Sequence, residues 1–350
     1  MPSTDPAGLN PVAVLHFVLL VGLPFMLLSR LAPAAGPLSS LPTALLASVL
    51  PAMVLGRLFR PVRYYLRLTT FLLGLASNSV WGVFVSLAMA AVGRAGDVNY
   101  VVARSFWKST APLLGVRFRV EGEEHLTARA GPVVMVGNHQ TMVDILYLGR
   151  IFPKSASIMA KAELKFMPLL GQYMTFSRAV FVARAKGKDS AVKMFEKVAQ
   201  EMKRHSLSLF IFPEGTRSAA QVPTLLPFKK GAFHLAVQAQ VPIVPIVCEN
   251  YASVYSSKAK HFDGGEIVIR VLPPIPTAGV TSSSEDINTL TDKVRSAMLS
   301  ALEDLARKRA EASGKGAIEA ADGQQAVEGG SERTPLLQSS AIEEAEEQTH

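Results

Sequence analysis

The stretch PVVMVGNHQTMVD, residues 132–144, passes in one step from an unbroken apolar run to a cluster of polar and ionisable side chains. Such a run suits a strand buried on both faces, as in a parallel sheet covered by helices. Strand ends in sheets of that kind face the crevice where ligands bind. His139 stands just past the end, and Asp144 follows five residues later, about one and a third helical turns. A helix or turn starting after His139 therefore folds the carboxylate back to hold one imidazole nitrogen. A histidine with a fixed tautomer is a usable general base. Taken alone, a His-x4-Asp spacing more commonly caps a helix, so it needs a second element before it means chemistry.

That element is LSLFIFPEGTRS, residues 207–218, another continuously apolar strand whose following loop belongs at the same sheet edge. The loop gathers Glu214, Gly215, Thr216 and Arg217. A guanidinium binds phosphate oxygens in pairs, and each charge-assisted hydrogen bond contributes on the order of 1.5–3 kcal/mol. A structural turn in which Glu214 pairs with Arg217 is an equal alternative at this point. A third element is Lys161-Ala-Glu-Leu164 with Pro168, Leu169 and Gly171, leading to Phe181–Arg184. The fourth is VPIVPIV, residues 241–247, where Pro245 lacks a ladder donor and so predicts an edge strand or a bulge. Lys229 and Lys230 read as solvated. The chain has no Gly-x-Ser-x-Gly elbow, no phosphate-binding Gly-x4-Gly-Lys loop and no histidine pair at metal spacing, and no metal is expected. A His–Asp dyad without its own serine or cysteine suits a reaction whose substrate supplies the hydroxyl, such as acyl transfer to an alcohol.

Outward from these segments, strands are expected at Val116–Val120, Pro132–Val136, Val180–Val182, Leu207–Phe212, Ile243–Val247 and Glu266–Leu272. Val192, Phe195, Val198 and Met202 repeat at helical spacing, and so do Ile287, Leu290, Val294, Met298, Leu302 and Leu305 in a helix over about 286–309. The fold class is α/β, a mostly parallel sheet covered by helices.

The rest of the 350 residues places this domain at lipid. The composition is 49% hydrophobic and 18% charged with mean hydropathy +0.26, too apolar for an ordinary soluble domain. Uncharged runs cover 12–28, 38–55 and 68–92, the third broken by Asn78 and Ser79; membrane helices are expected over residues 1–94. The first run has no Lys or Arg before it, which favours a retained anchor over a signal peptide. Arg57, Arg60, Arg63 and Arg67 share one side of a helix, suited to an anionic interface or a cytosolic topology signal. If the third run crosses fully, the domain lies opposite that cluster; if it is re-entrant, both stay cytosolic. The single cysteine, Cys248, excludes a disulfide-stapled scaffold. Residues 311–350 hold nine acids against two bases, so the +8 total leaves +15 on the remainder. A basic body predicts an anionic partner, here phospholipid membrane and no nucleic acid. The acidic tail reads as disordered, and its Glu332–Leu337 segment as a chance match to a dileucine signal. Residues 95–310 form the domain between anchor and tail.

The four elements, in this order over about 113–255, resemble the glycerophospholipid acyltransferase family. Asn138-His139 with Asp144 matches its first motif, Lys161 to Arg184 the second, Phe212 to Ser218 the third and Val241 to Val247 the fourth. Ala183, where an acidic residue is common, and Arg178, where small residues are usual, depart from the second. The resemblance implies a lysophosphatidate-type activity: acyl transfer from acyl-CoA, a co-substrate, to the sn-2 hydroxyl of 1-acylglycerol-3-phosphate, with no cofactor. It implies His139 as general base, Asp144 as its orienting partner, and Glu214, Gly215, Thr216, Arg217 and Lys161 as groups for the glycerol phosphate. A membrane enzyme facing the cytosol at the endoplasmic reticulum is the expected setting. The sequence does not fix the oligomeric state.

Overall fold

In a computed structural model of the chain, residues 59–312 and 314 are described, except 128–130, 169, 178 and 183–187, and so are their side chains except those of 161, 182 and 188–193. The first two apolar runs, Arg57, Arg178, Arg184 and the tail from residue 315 lie outside the described residues. Among the described residues, those up to Leu305 belong to one compact unit and those from Ala306 on to a second.

Seven strands make the main sheet: β1 (Val116–Glu121), β2 (Val134–Gly137), β3 (Ala156–Lys161), β4 (Val180–Val182), β5 (Ser208–Ile211), β6 (Ile243–Cys248) and β9 (Gly265–Val271), in the order β1-β9-β6-β2-β5-β3-β4. Short strands β7 (Tyr255–Ser256) and β8 (His261–Phe262) pair separately. Every neighbouring pair in the main sheet is parallel except β6 with β9. The mostly parallel α/β architecture is as expected. Strand β3, whose sequence ASIMAK mixes polar and apolar residues, was not foreseen.

Helices α2 (Val98–Leu113), α4 (Asp144–Ile151) and the long α1 (Arg60–Ala91) contribute to one buried cluster, and α6 (Lys188–His205), α7 (Gly231–Ala239) and α8 (Ser284–Ala312) to the other. Among the described residues the remaining α-helices are α3 (Glu124–Thr127) and α5 (Leu170–Phe176). Strand alternation divides the central residues between the two clusters: Val133 and Met135 join the first, Val134 and Val136 the second. Both faces are dry, which explains the unbroken apolar run. Phe210 is fully buried in the first cluster, and Phe210→Ala is expected to cost about 3–5 kcal/mol.

Pro245 corrects the sequence reading, because β6 is an interior strand between β2 and β9. Its missing N–H falls on the β9 side, where that strand is ending. There Leu272 N donates to Pro245 O at 2.9 Å, and the ladder with β9 begins one residue later at Ile246. An interior proline is tolerated where its neighbour peels away.

The arginine cluster also differs from expectation. Pro61 opens α1, and no breaker separates Arg60, Arg63 and Arg67 from the third apolar run, so these three share one 32-residue helix with it. Arg63 Nε meets Asp263 Oδ1 at 2.8 Å and Arg67 Nη1 donates to the Phe262 carbonyl at 3.0 Å. These two arginines fasten the helix to the domain instead of facing an anionic interface. One flank packs along the domain, from Tyr64 stacked on Tyr255 to Gly82 against Tyr173. Asn78 is satisfied by the Val102 carbonyl at 3.1 Å. The other flank exposes Tyr65, Leu72, Leu73, Val80, Trp81, Phe84 and Leu87. The helix is long and apolar enough to cross a membrane.

Candidate active site

Because β2 has β5 and β6 as parallel neighbours, the loops following all three strands emerge at one edge. Strand β2 ends on Gly137, where a Cβ would lie 2.5 Å from the Phe210 ring, so no side chain fits. Asn138 then turns inward. Its amide donates to Cys248 O and accepts from Cys248 N, both at 2.8 Å, extending the β2–β6 ladder through a side chain. Gln140 Nε2 donates to Cys248 O and Glu249 O, at 3.2 and 2.9 Å. Between these two anchored amides, alternation turns His139 the other way.

His139 Nδ1 lies 2.7 Å from Asp144 Oδ2. Asp144 occupies the first position of α4, and its buried carboxylate also accepts from Gln140 N at 2.7 Å, Thr141 N at 3.1 Å and the Tyr251 hydroxyl. Four donors offset the cost of burying this charge. With Nδ1–H donated to the carboxylate, Nε2 carries the lone pair, an assignment that follows from the partners. Nε2 has no partner among the described residues, and the side chain remains 19% exposed. The imidazole stacks on Phe212, centroids 4.0 Å apart and planes 17° from parallel. Burial pushes the Tyr251 phenol well above its ordinary range, with the Asp144 charge adding to the effect, so it stays a donor.

The loop after β5 divides in two. Its buried half holds Glu214, whose Oε1 accepts His139 N at 2.7 Å and whose Oε2 accepts Leu226 N at 3.0 Å. Burial raises the Glu214 carboxyl above its ordinary range, and the two N–H donors oppose that shift. Ser218 N and Ala219 N donate to His139 O and Gln140 O at 2.9 and 3.0 Å, lashing this loop to the one that carries the histidine. The outer half exposes Gly215, Thr216 and Arg217. Gly215 has φ +66°, a conformation that favours glycine, and the Lys229 side chain lies over it. Arg217 is close enough to Tyr255 for its charge to act on the phenol.

A family model described as Acyltransferase matches residues 117–249. An uncharacterized acyltransferase of Schizosaccharomyces pombe is 41% identical over 69% of this chain and 85% of its own length. The 1-acyl-sn-glycerol-3-phosphate acyltransferase of Saccharomyces cerevisiae is 38% identical over 72% of this chain and 80% of its own length. This chain belongs to the acyltransferase family. A crystal structure of the 1-acyl-sn-glycerophosphate (LPA) acyltransferase PlsC from Thermotoga maritima, 23% identical, aligns with TM-score 0.56 over 71% of this chain and 99% of that one, a likeness of fold.

On this acyltransferase scaffold, His139, Asp144, Glu214 and the loop carrying Arg217 meet at one sheet edge. Glu214 takes on a role the sequence did not suggest: each of its oxygens accepts a backbone N–H, so it braces the loop that carries His139. Among the described residues Glu214 and Arg217 form no ion pair. Lys161 ends β3 at the same edge, beyond β5 from His139, and its side chain is outside those described. Lys229 is exposed, as read, and its side chain lies over Gly215, bringing a cation to the loop. Tyr251 was missed altogether. Its only signal was its place just beyond β6, which acquires meaning once β6 is known to adjoin β2.

Proposed function

We propose that this acyltransferase moves an acyl group from acyl-CoA to the sn-2 hydroxyl of 1-acylglycerol-3-phosphate. The observation that carries the reading is the His139–Asp144 pair, with Nδ1 committed to the carboxylate and Nε2 left open. An alcohol is a weak nucleophile at neutral pH until a base removes its proton. Nε2 takes that proton as the hydroxyl oxygen bonds to the thioester carbonyl carbon. The carbon–sulfur bond then breaks, and the proton leaves on the CoA thiol. Asp144 holds the ring orientation and stabilises the imidazolium that forms. Arg217, Lys229 and the backbone around Gly215 supply positive charge for the acceptor's phosphate, and the shared names of the yeast relative and of PlsC point to that acceptor. No bound cofactor enters these steps.

In this reading residues 1–94 anchor, 95–310 catalyse and 311–350 form the tail, at the cytosolic face of the endoplasmic reticulum, where acyl-CoA meets a bilayer-borne acceptor. The support is α1: its exposed flank is apolar, while its other flank contacts one domain from Tyr64 to Gly82. Protease accessibility of the domain in sealed microsomes tests the orientation; a protected domain overturns it. The activity itself is tested with labelled acyl-CoA and a panel of acceptors. Lysophosphatidate is expected to give the highest kcat/KM, and preference for glycerol-3-phosphate or a lysolipid with a larger head group overturns the choice.

A further inference from the structure

At the opposite end of the sheet, where Gly131 precedes β2, Ser155 precedes β3 and Ser206 precedes β5, a cavity of about 520 Å³ opens to solvent. Its wall carries a stack of cations and rings. The Arg104 guanidinium carbon lies 5.4 Å from the Tyr100 centroid and 5.7 Å from that of Trp107, while Lys154 Nζ lies 5.8 Å from Tyr100. Arg150 lies 5.5 Å from the Trp107 ring, and its two terminal nitrogens bind both oxygens of Glu123 at 2.7 and 2.8 Å.

This arrangement leaves an imbalance of charge. Glu123 is committed to Arg150, and the nearby Asp97 is held by Arg94 at 2.7 Å. Arg104 forms no salt bridge, and its buried Nε has no hydrogen-bond partner among the described residues. Burial, followed by the charge of Arg150, works against its protonated form. A half-buried cation without a committed counter-charge is costly, and a stacked guanidinium keeps its N–H edge available to a planar or tetrahedral oxyanion. The ladder holds two cations on one ring, as a divalent oxyanion requires, and the volume admits a phosphate with a small polar group attached.

We infer that the cavity lined by Arg104, Lys154 and Tyr100, with Trp107 beside Arg104, is a second anion site, taking a phosphate monoester at the end of the sheet opposite His139. The phosphate can arrive on an acidic phospholipid or on a free ester. Trp81 and Trp107 are the two tryptophans, so a Trp81→Phe chain leaves Trp107 as the sole indole reporter. The full-length protein in neutral detergent is titrated with inorganic phosphate at constant ionic strength, and separately with phosphatidylcholine vesicles with and without phosphatidate. A saturable change in Trp107 emission is expected with phosphate. It should weaken about tenfold or more in Arg104→Gln/Lys154→Gln and less in Arg104→Lys, which keeps the charge. It should survive His139→Ala. A response that needs phosphatidate at concentrations where free phosphate is silent assigns the lipid source; the reverse assigns the free ester. No response to either, an unchanged response in the double variant, or its loss in His139→Ala overturns the inference.

Discussion

The two ends of the sheet handle charge in opposite ways. At the His139 end, the buried carboxylates of Asp144 and Glu214 are surrounded by donors from the chain itself: four around Asp144 and two backbone amides around Glu214. What remains open is one imidazole nitrogen and an exposed basic rim. At the other end, the cations rest on aromatic faces and Arg104 has no committed acid. The first arrangement suits chemistry, because fixed partners hold a reacting atom in place. The second suits reversible capture of charge, because ring faces steady a cation without consuming its hydrogen-bonding edge.

Substitutions at the two ends should therefore separate, and the sharpest contrast is in turnover. His139→Ala is expected to lower kcat/KM by about 10²–10⁴-fold, while Asp144 keeps three of its four donors and the fold holds. A loss below about tenfold would break the contrast. Glu214→Gln comes next. Its amide nitrogen must face either His139 N or Leu226 N, donor against donor, and an unmet buried group costs about 1–3 kcal/mol. Denaturant unfolding should register that loss, with activity falling about tenfold as the loop under His139 loosens. Tyr251→Phe removes one of four donors to Asp144 and is expected to lower kcat severalfold at unchanged KM; a change in KM alone would detach Tyr251 from the dyad. Because burial keeps the phenol protonated, no alkaline loss of wild-type activity should arise from it. The smallest effect belongs to Cys248, whose thiol burial pushes well above its ordinary range. Alkylation in the folded state at pH 8 should be negligible and leave activity intact, whereas the unfolded chain should label fully.

Much of the His139 end was legible in the sequence because each piece is local. An unbroken apolar run ending in a histidine marks a strand tip, and a carboxylate five residues on can reach back to it. What was not legible depends on which strand lies beside which. Tyr251 reaches Asp144 only because β6 adjoins β2, and chain order does not reveal that. The bracing role of Glu214 was hidden because the sequence shows a carboxylate in a polar loop but not that His139 N and Leu226 N converge on it. Pro245 was misplaced for the same reason: the rule against interior prolines holds residue by residue, and the exception arises where β9 departs. On α1, the arginine pattern was visible, but Asp263 and the Phe262 carbonyl, nearly 200 residues away, turned two of those side chains toward the domain.

The claim that His139 and Asp144 act as one unit has a direct test in the kcat/KM values of His139→Ala, Asp144→Asn and the double variant. If the carboxylate works only through the imidazole, the double variant should lose no more than His139→Ala alone, within about threefold. Losses that multiply would show that Asp144 contributes independently of the histidine and would contradict the account.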